Sequence, residues 1–420
     1  MKVLAVAAIG LVAVASSAHA QRVMTLEAAI QLAMTRNERA AISELGVSAA
    51  EANVSAARTR FLPLLESSGN VTYRPRTDPT TTAQAALVLS QPLFEPSAFP
   101  LHGQAKHELV AQRALRSDER RRLAFDTANA FFAVLLADQV VQAAQRKVET
   151  AVANVATTDA QVKAQLVSSN DVTRAQISQA TAVRDLATST GNLRAAYVEL
   201  ELLVNAKVAG GLAPPSELLA AGQRPALASD QVVATSIARR ADLVANKELA
   251  LAAHDFAREP RMRYLPAIEL GGQLAVTSDV PDGGHALGAQ VAISARWTLF
   301  DSGARSADAR SRGARARIAD LETSRLARSI AAEVRSTAVL LASRQEALTA
   351  AGTARDAARK GAREAEILYR QGLAKAIELV DANDQRFIAE VNYATSEFDV
   401  ARAYLALRLA MGLEPLEGAR

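Results

Sequence analysis

The sequence contains no cysteine, and aromatic residues make up only 4% of the chain. The lack of cysteine excludes disulfides, thiolate metal sites and a lipid anchor attached through cysteine. Hydrophobic residues nevertheless reach 50% of the chain, with alanine prominent among them. Alanine combined with leucine, glutamate and arginine is typical of long helices that pack through small side chains.

Proline is missing from two long stretches, residues 101–213 and 282–414. Because a proline inside a helix costs about 3 kcal/mol, its absence permits very long helices there. Residues 303–371 are predicted to form one nearly continuous helix, which at 1.5 Å per residue would be on the order of 100 Å long. Asp301 or Ser302 is expected to cap this helix.

The first twenty residues have the pattern of a secretory signal peptide. Lys2 precedes an apolar run, and Ala18-His19-Ala20 ends it, so cleavage is expected after Ala20. Beyond this point no run of 18 consecutive apolar residues occurs, and no transmembrane helix is predicted. The net charge is only +4 and arginines are spread along the predicted helices together with glutamates and aspartates, so no nucleic-acid partner is expected.

One unit of the sequence occurs twice. "RFLPLLESSG" (residues 60–69) returns as "RYLPAIELGG" (263–272), and three further pairs recur at nearly the same offset, 203 to 207 residues. Four matches in register indicate a duplicated supersecondary unit rather than a short-period repeat. The predicted division is a signal peptide (1–20), repeat 1 (21–204), a connector (205–229), repeat 2 (230–411) and a tail (412–420).

Each repeat is predicted to contain a helix, two strands and a long helical hairpin. The hairpin tips are expected at 165–169 and 372–375, and the strands near 65–73, 83–93, 267–276 and 287–299. The strands alternate between apolar and small or polar residues, and at about ten residues each is long enough to cross a bilayer when tilted. Trp297 would lie near the end of the fourth strand, where an interfacial aromatic belongs.

A half-buried sheet in a water-soluble domain would show the same alternation. If the strands do span a membrane, four of them cannot close a barrel, and open sheet edges are not tolerated in lipid. A membrane-spanning sheet would therefore require several copies of the chain.

Four motifs and the duplication together resemble the TolC family of outer-membrane efflux proteins. The motifs are "MTLEAAIQLAMTRN" (24–37), "ARTRFLPLLESSG" (57–69), "RWTLFDSGARSADA" (296–309) and "YRQGLAKAIELVDAN" (369–383). The resemblance implies a mainly α-helical chain with a small β part. It also implies a homotrimer with a 12-stranded outer-membrane barrel, four strands from each chain, continued by a helical tunnel through the periplasm. The connector would lie in the equatorial region of that tunnel.

The implied function is a passive exit duct of a tripartite efflux or type I secretion system, carrying small molecules, ions or a polypeptide. The implied partners are a periplasmic adaptor (membrane fusion) protein, an inner-membrane pump of the RND, ABC or MFS type, and outer-membrane lipid. An alternative is a periplasmic structural or adaptor protein made of long coiled coils. An adaptor should have one helical hairpin between compact β domains, whereas this sequence predicts two hairpins.

The resemblance also assigns candidate site residues at the far end of the helices. Glu378 and Asp381 are three apart on one helix face and would ring a periplasmic aperture. In the first repeat Asp171 and Arg174 take the equivalent places, and Arg174 is hypothesised to help to hold the tips closed. A solvated helix face is the alternative interpretation of these charges. The residues expected to meet the adaptor are Gln165, Leu166, Val167, Ser168, Gly372, Leu373, Ala374 and Lys375.

No group of residues in the sequence predicts an enzyme. The five histidines are scattered, and His102 and His107 are five apart, which is not the spacing of a helical metal pair. No nucleophile elbow, phosphate loop or dinucleotide motif occurs. We therefore expect no catalytic residues, no metal and no cofactor.

Overall fold

The computed structural model describes residues 23–75, 80–225, 229–279 and 286–416. The predicted signal peptide lies outside these ranges, as do residues 417–420 of the predicted tail. Within them the chain is largely helical, with a single four-stranded antiparallel sheet. The predicted fold class, mainly α with a small β part built from two repeats, is confirmed.

The two repeats have matching elements. The first contains, in order, α1 (Leu26–Arg36), α2 (Glu38–Thr59), β1 (Leu64–Arg74), β2 (Thr80–Phe94), α3 (Ala98–Lys163) and α4 (Ser169–Val204). A short helix in the connector follows, α5 (Ser216–Gly222). The second repeat contains α6 (Asp230–Arg239), α7 (Ala241–Met262), β3 (Ala267–Thr277), β4 (Leu287–Arg296), α8 (Ala304–Arg370) and α9 (Ala376–Ala410).

The first helix of each repeat is broken at one residue, although the sequence predicted it to be continuous. Asn37 separates α1 from α2 and caps α2, since its side chain accepts a hydrogen bond from the Arg39 N–H at 2.9 Å. Arg240 separates α6 from α7, and its guanidinium donates to the Ala410 carbonyl oxygen at 3.2 Å. Asparagine is a preferred N-cap residue and arginine is not, so only the first break has a signal in the sequence.

The chain's main core lies halfway along α3, where α1, α4 and α9 pack on it and α5 packs on α9. Phe132 of α3 packs on Phe398 of α9 with ring centroids 5.9 Å apart, and both side chains are at most 1% exposed. Other members of this cluster come from each converging helix: Leu26, Phe125, Phe131, Leu200, Leu218 and Leu405. Burying side chains of this size contributes about 1.5–3 kcal/mol each, so this region anchors the long helices.

One stretch of α3 is long and apolar enough to cross a membrane by length and composition alone. Its 18-residue window has a mean hydropathy of 1.3, and 56% of that window is buried inside the chain. Phe125, Phe131 and Phe132 of this helix lie in the core. The apolar character of α3 is therefore that of a core helix.

Candidate channel wall and tip site

The sheet has one apolar face and one polar face. Its strands follow the order β1-β2-β3-β4, and the register aligns Leu87 with Leu274 and Leu274 with Ala289, which places these residues on one side. The same side carries Leu65, Val71, Leu89, Leu270, Val276, Val291 and Ile293. Val71, Val291 and Ile293 are each more than 70% exposed in the single chain. A continuous apolar surface of this kind marks a membrane or a protein interface.

The opposite face of the sheet is made mostly of small and polar side chains. One row across the four strands aligns Glu66, Val88, Gln273 and Gln290. Near the helix end of the sheet, Ser90 donates a hydrogen bond to the Glu269 carboxylate. Side chains of this size and polarity suit a water-filled lumen.

The sheet joins the helices through an exposed aromatic segment. β4 ends at Arg296, three residues before the predicted end, so Trp297 follows the strand. Its indole Nε1 donates to the Tyr264 carbonyl oxygen at 3.0 Å, while 60% of the side chain stays exposed. Phe300 is 83% exposed. An anchored but exposed Trp at the end of an apolar strand is the arrangement of an interfacial residue.

A single carboxylate fixes the start of α8 below this segment. Asp301 accepts hydrogen bonds from the backbone N–H groups of Gly303 (3.2 Å) and Arg305 (2.9 Å) and pairs with the Arg305 Nε at 2.7 Å. The backbone N–H of Arg305, more than its guanidinium, lowers the pKa of Asp301. Ser302 and Gly303 both have positive φ, 55° and 87°, which turns the chain from strand to helix. Asp301 is thus the capping side chain.

The two tips have the same backbone structure at equivalent positions. Gln165 (φ 60°) and Gly372 (φ 74°) adopt the left-handed conformation that ends α3 and α8. The next N–H in each case, of Leu166 or Leu373, donates to a carbonyl five residues earlier, at 2.9 and 2.8 Å. This is the hydrogen-bond pattern of a Schellman motif. It leaves the side chains of Leu166 and Leu373 exposed at 73% and 72%.

The other predicted tip residues differ in their roles. Val167 and Ala374 are half-buried, while Lys375 is exposed immediately before α9. Ser168 caps α4, because its Oγ accepts from the Asn170 N–H at 3.2 Å. The large apolar side chains that the tips expose are therefore Leu166 and Leu373, and Lys375 is the exposed charge among the predicted tip residues.

The four predicted aperture residues lie in the first turns after the tips. Asp171 accepts a hydrogen bond from the Ser168 N–H at 3.2 Å and so completes the cap of α4. Arg174, Glu378 and Asp381 are exposed. Within the described part of the chain none of these three has an ion-pair partner, and the structure records no contact among the four.

Sequence reasoning missed the polar contacts that join the two hairpins above the tips. The Thr158 Oγ1 and Tyr369 hydroxyl lie 2.8 Å apart and connect the ends of α3 and α8 in a buried position. The Arg386 guanidinium of α9 donates to the Thr150 Oγ1 of α3 at 3.1 Å. The only sequence signal for Tyr369 was that it begins the motif of residues 369–383, which contains the second hairpin tip.

The polar contact that joins the most helices is centred on Lys147 of α3. Its Nζ lies 2.9 Å from carboxylate oxygens of both Asp185 on α4 and Asp384 on α9, and 4.6 Å from the centre of the Phe387 ring. Burial acts to lower the pKa of Lys147, but the two carboxylates outweigh it and raise the pKa. One buried ammonium thus ties three helices together in the half of the molecule that carries the tips.

Comparison with known proteins gives one family and several similar folds. The sequence profile of the family described as "Outer membrane efflux protein" matches residues 29–206 and 232–413, one segment for each repeat. No curated protein sequence matches the chain significantly.

Solved structures of outer-membrane channels are similar to the chain over nearly its whole length. CusC, whose structures concern folding and transmembrane channel formation, has a TM-score of 0.82 at 17% identity, over 92% of each chain. The open state of the MtrE outer membrane channel of Neisseria gonorrhoeae has a TM-score of 0.78 at 19% identity, over 93% of this chain and 90% of that one. The CmeC outer membrane channel of Campylobacter jejuni has a TM-score of 0.79 at 15% identity, over 94% and 87%. The fold is shared with these channels, and the profile match over both repeats shows that the chain belongs to the outer membrane efflux protein family.

Proposed function

We propose that this chain forms, as a homotrimer, the passive exit duct of a tripartite efflux or type I secretion system. One observation supports this above all: a sheet with an exposed apolar face passes directly into helices of 66 and 67 residues. In a membrane barrel the apolar face of such a sheet contacts lipid and its polar face contacts the water of the lumen. Helices about 100 Å long continue the same wall into the periplasm, where water solvates their polar surface.

The edges of the sheet support assembly into a ring. Within the described part of the chain β1 pairs only with β2 and β4 only with β3, so each has one edge without a partner strand there. Free edges are excluded from the hydrocarbon region, and β4 of one copy running beside β1 of the next closes the barrel with antiparallel pairing. Two copies would give eight strands, a barrel whose interior side chains fill, whereas three copies give twelve strands and are the fewest that leave an open lumen.

The tips support a proposal for the partners. Leu166 and Leu373 are exposed at equivalent places, and Leu373 is flanked by the small residues Gly372 and Ala374. We propose that they pack against the helical hairpin of a periplasmic adaptor, which joins the duct to an inner-membrane pump of the RND, ABC or MFS class. The energy for export would come from that pump.

The charges beside the tips support a selective aperture. In a trimer, Glu378 and Asp381 would place six carboxylates around one axis, which would attract cations and repel anions. Arg174 occupies the place in the first repeat that Asp381 has in the second. We propose that it pairs across the aperture with a carboxylate of an adjacent helix, since it has no ion-pair partner within the described part of its own chain.

The proposal is tested by expressing the chain in a Gram-negative strain that lacks its own efflux duct. The expected results are a heat-resistant oligomer in outer-membrane extracts and ion-conducting events when that oligomer is added to a planar bilayer. The competing function, a periplasmic coiled-coil or adaptor protein, predicts a water-soluble species in the periplasmic fraction. Recovery of the protein only in that fraction would refute the duct.

A further inference from the structure

The helix ends next to the second pair of strands carry an excess of positive charge. Residues 256–266 and 301–318 contain eight arginines and three carboxylates, a net charge of +5, whereas the whole chain carries +4. The starts of α2 and α7 differ by 203 residues and those of α3 and α8 by 206, so the equivalent residues of the first repeat are 53–63 and 95–112. These contain two arginines, one lysine and two glutamates, a net charge of +1. The excess therefore belongs to the second repeat and does not follow from the duplication.

Ion pairs within the chain engage all three carboxylates of this region. The pairs are Glu259 with Arg263 and Arg312, Asp301 with Arg305, and Asp308 with Arg312. Arg258 pairs with Asp255. The other four arginines are exposed and have no ion-pair partner in the part of the chain that the structure describes: Arg261, Arg310, Arg315 and Arg317. Their charge is available to an anion from outside the chain.

Three of these four arginines line one groove between the end of α7 and the start of α8. The groove has a volume of about 610 Å³, and Arg261, Arg310 and Arg317 line it together with Tyr264 and Ser306. None of the described residues that line it is acidic. The Arg310 guanidinium donates to the Ser306 Oγ at 3.0 Å, which leaves most of its donors unused. Guanidinium groups bind phosphate oxygens through paired hydrogen bonds, so the groove has the chemistry of a phosphate site.

The groove begins at the level where the sheet gives way to the helices. Tyr264 borders it, and the carbonyl oxygen of Tyr264 accepts the hydrogen bond of the interfacial Trp297. Arg261 lies in the last turn of α7, and Arg310 lies about 9 Å along the axis from the start of α8. Helical side chains lean toward the N-terminus, which for α8 is the membrane end, and the headgroup layer of a bilayer is roughly 5–8 Å deep on each side. Arg310 is therefore within reach of lipid headgroups.

Closing the proposed ring brings no spare carboxylate to this region. In that ring β1 of the next copy lies beside β4, and the residues between the last turn of α2 and β1 include Arg58 and Arg60. Both are exposed and have no ion-pair partner within the described part of their chain. The last carboxylate of α2, Glu51, pairs with Arg113 of its own chain at 2.8 Å. The neighbouring copy thus adds positive charge, and the anion must come from elsewhere.

We propose that this groove binds the headgroup of an anionic phospholipid in the periplasmic leaflet of the outer membrane, with the phosphate held by Arg261 and Arg310. Arg315 and Arg317 add attraction from the next turns of α8. The proposal rests on the proposed function, because the orientation of the sheet in the membrane comes from it. Basic side chains beside an anionic membrane surface each raise the affinity about fivefold. A zwitterionic phospholipid has the same phosphate, but its ammonium group cancels this attraction.

The test measures how lipid stabilises the purified, detergent-solubilised oligomer. The oligomer is titrated with micelles that contain phosphatidylglycerol or phosphatidylethanolamine, and the temperature at which it dissociates into single chains is read on gels. R261Q/R310Q removes the two charges nearest the sheet, and R261K/R310K retains them. R325Q/R328Q is the matched control, because it removes two exposed arginines of α8 that lie about 20 Å or more beyond Arg310.

Phosphatidylglycerol is expected to raise the dissociation temperature of the parent oligomer at lower concentration than phosphatidylethanolamine does. The phosphatidylglycerol concentration for half of the effect should rise roughly thirtyfold in R261Q/R310Q, since two arginines are lost. It should stay close to the parent value in R261K/R310K and in R325Q/R328Q. Added salt should weaken the effect of phosphatidylglycerol, because it screens exposed charges.

An equal response of R261Q/R310Q and the parent to phosphatidylglycerol would overturn the lipid site. A loss of stability in R261Q/R310Q that is the same with and without this lipid would also overturn it, since the arginines would then act in contacts between protein chains. Equal stabilisation by glycerol phosphate, which has no acyl chains, would identify a soluble anion as the ligand instead. All three outcomes leave the heat-resistant oligomer and the duct intact, whereas absence of any oligomer in the parent would refute the duct and the lipid site with it.

Discussion

Replacing Lys147 by methionine is expected to loosen the tip half of the molecule while leaving the core unchanged. Methionine keeps most of the length and apolar stem of the side chain, so the change removes charge and hydrogen bonds more than volume. The Lys147 side chain is 10% exposed and its two carboxylate partners belong to different helices. The perturbation therefore acts on the junction of α3 with α4 and α9.

The magnitude follows from the exposure of each partner. A buried charge-assisted hydrogen bond contributes about 1.5–3 kcal/mol, and the pair with Asp185, whose side chain is 19% exposed, is of this kind. Asp384 is 40% exposed and adds at most about 1 kcal/mol. Asp185 keeps Arg184, 2.6 Å away, so its carboxylate is not left without a partner. The expected loss is about 2–3 kcal/mol for opening this junction.

Amide hydrogen exchange measured by mass spectrometry on the detergent-solubilised oligomer is the suitable assay. Since 1.4 kcal/mol corresponds to a factor of ten, peptides around Asp185 and Asp384 should exchange roughly 30 to 150 times faster in Lys147→Met. Peptides from the core stretch of α3 should be unaffected. Asp384→Asn is the matched control and should accelerate exchange less than tenfold. Equal acceleration in the core and tip peptides, or none in either, would refute the assignment.

The pH dependence of this effect has a definite sign. Burial tends to raise the pKa of Asp185, but Arg184 and Lys147 outweigh burial and lower it. Its contribution to stability is therefore fully present above its unfolded pKa of about 3.9 and is lost as the pH falls through its lower folded pKa. The raised pKa of Lys147 makes its contribution constant up to about pH 10 and lost only above that. The difference between the parent and Lys147→Met should persist at neutral pH and shrink in strong acid.

Three further predictions concern the tips. Arg174→Glu should raise single-channel conductance in planar bilayers, because it removes the proposed contact across the aperture; an unchanged conductance would place Arg174 outside the gate. Double replacement of Glu378 and Asp381 by alanine should weaken cation selectivity, measured as the reversal potential in a salt gradient, and block by divalent cations; parent-like values would show that these carboxylates are off the pore. Replacement of Leu166 and Leu373 by aspartate should abolish efflux in complemented cells while the heat-resistant oligomer persists, since both residues are more than 70% exposed in the single chain; full efflux activity would exclude them from the adaptor contact.

The sequence predicted the elements whose signals are local. Long proline-free stretches predicted the long helices, and the alternation of apolar and polar residues indicated the sheet. The fourth strand ends earlier than its pattern suggests, because alternation at Trp297, Thr298 and Leu299 continues past the last residue that pairs with β3. Glycine is the usual residue where a helix ends in the left-handed conformation, so the sequence marks Gly372 as a helix terminator. Gln165 has the same backbone conformation, but its residue type does not indicate a helix end.

The contacts that depend on several helices were beyond sequence reasoning. Nothing in the sequence distinguishes Lys147 from other lysines of a long helix. Its ion pairs depend on which faces of α4 and α9, carrying Asp185 and Asp384, pack against α3. The same limit applies to Arg240, whose position matches Asn37 in the repeat but whose residue type gives no sign of a break. Asp171 was expected at an aperture, and the structure gives it a capping role that its spacing from Ser168 could have indicated.

The position of the core along α3 has a mechanical consequence. Phe131 and Phe132 lie near the midpoint of a helix of 66 residues, so about 50 Å of rod extends from the core to the tip. A tilt of about 10° about this pivot would move the tip by roughly 9 Å, which is within the range of rigid-body motions of packed helices. The tip half has mostly alanine, threonine and paired charges at its buried positions, which resist such a tilt less than the aromatic pivot does. A partner that binds only the tips therefore has leverage over the width of the duct, and the sheet at the other end of the rod need not be disturbed.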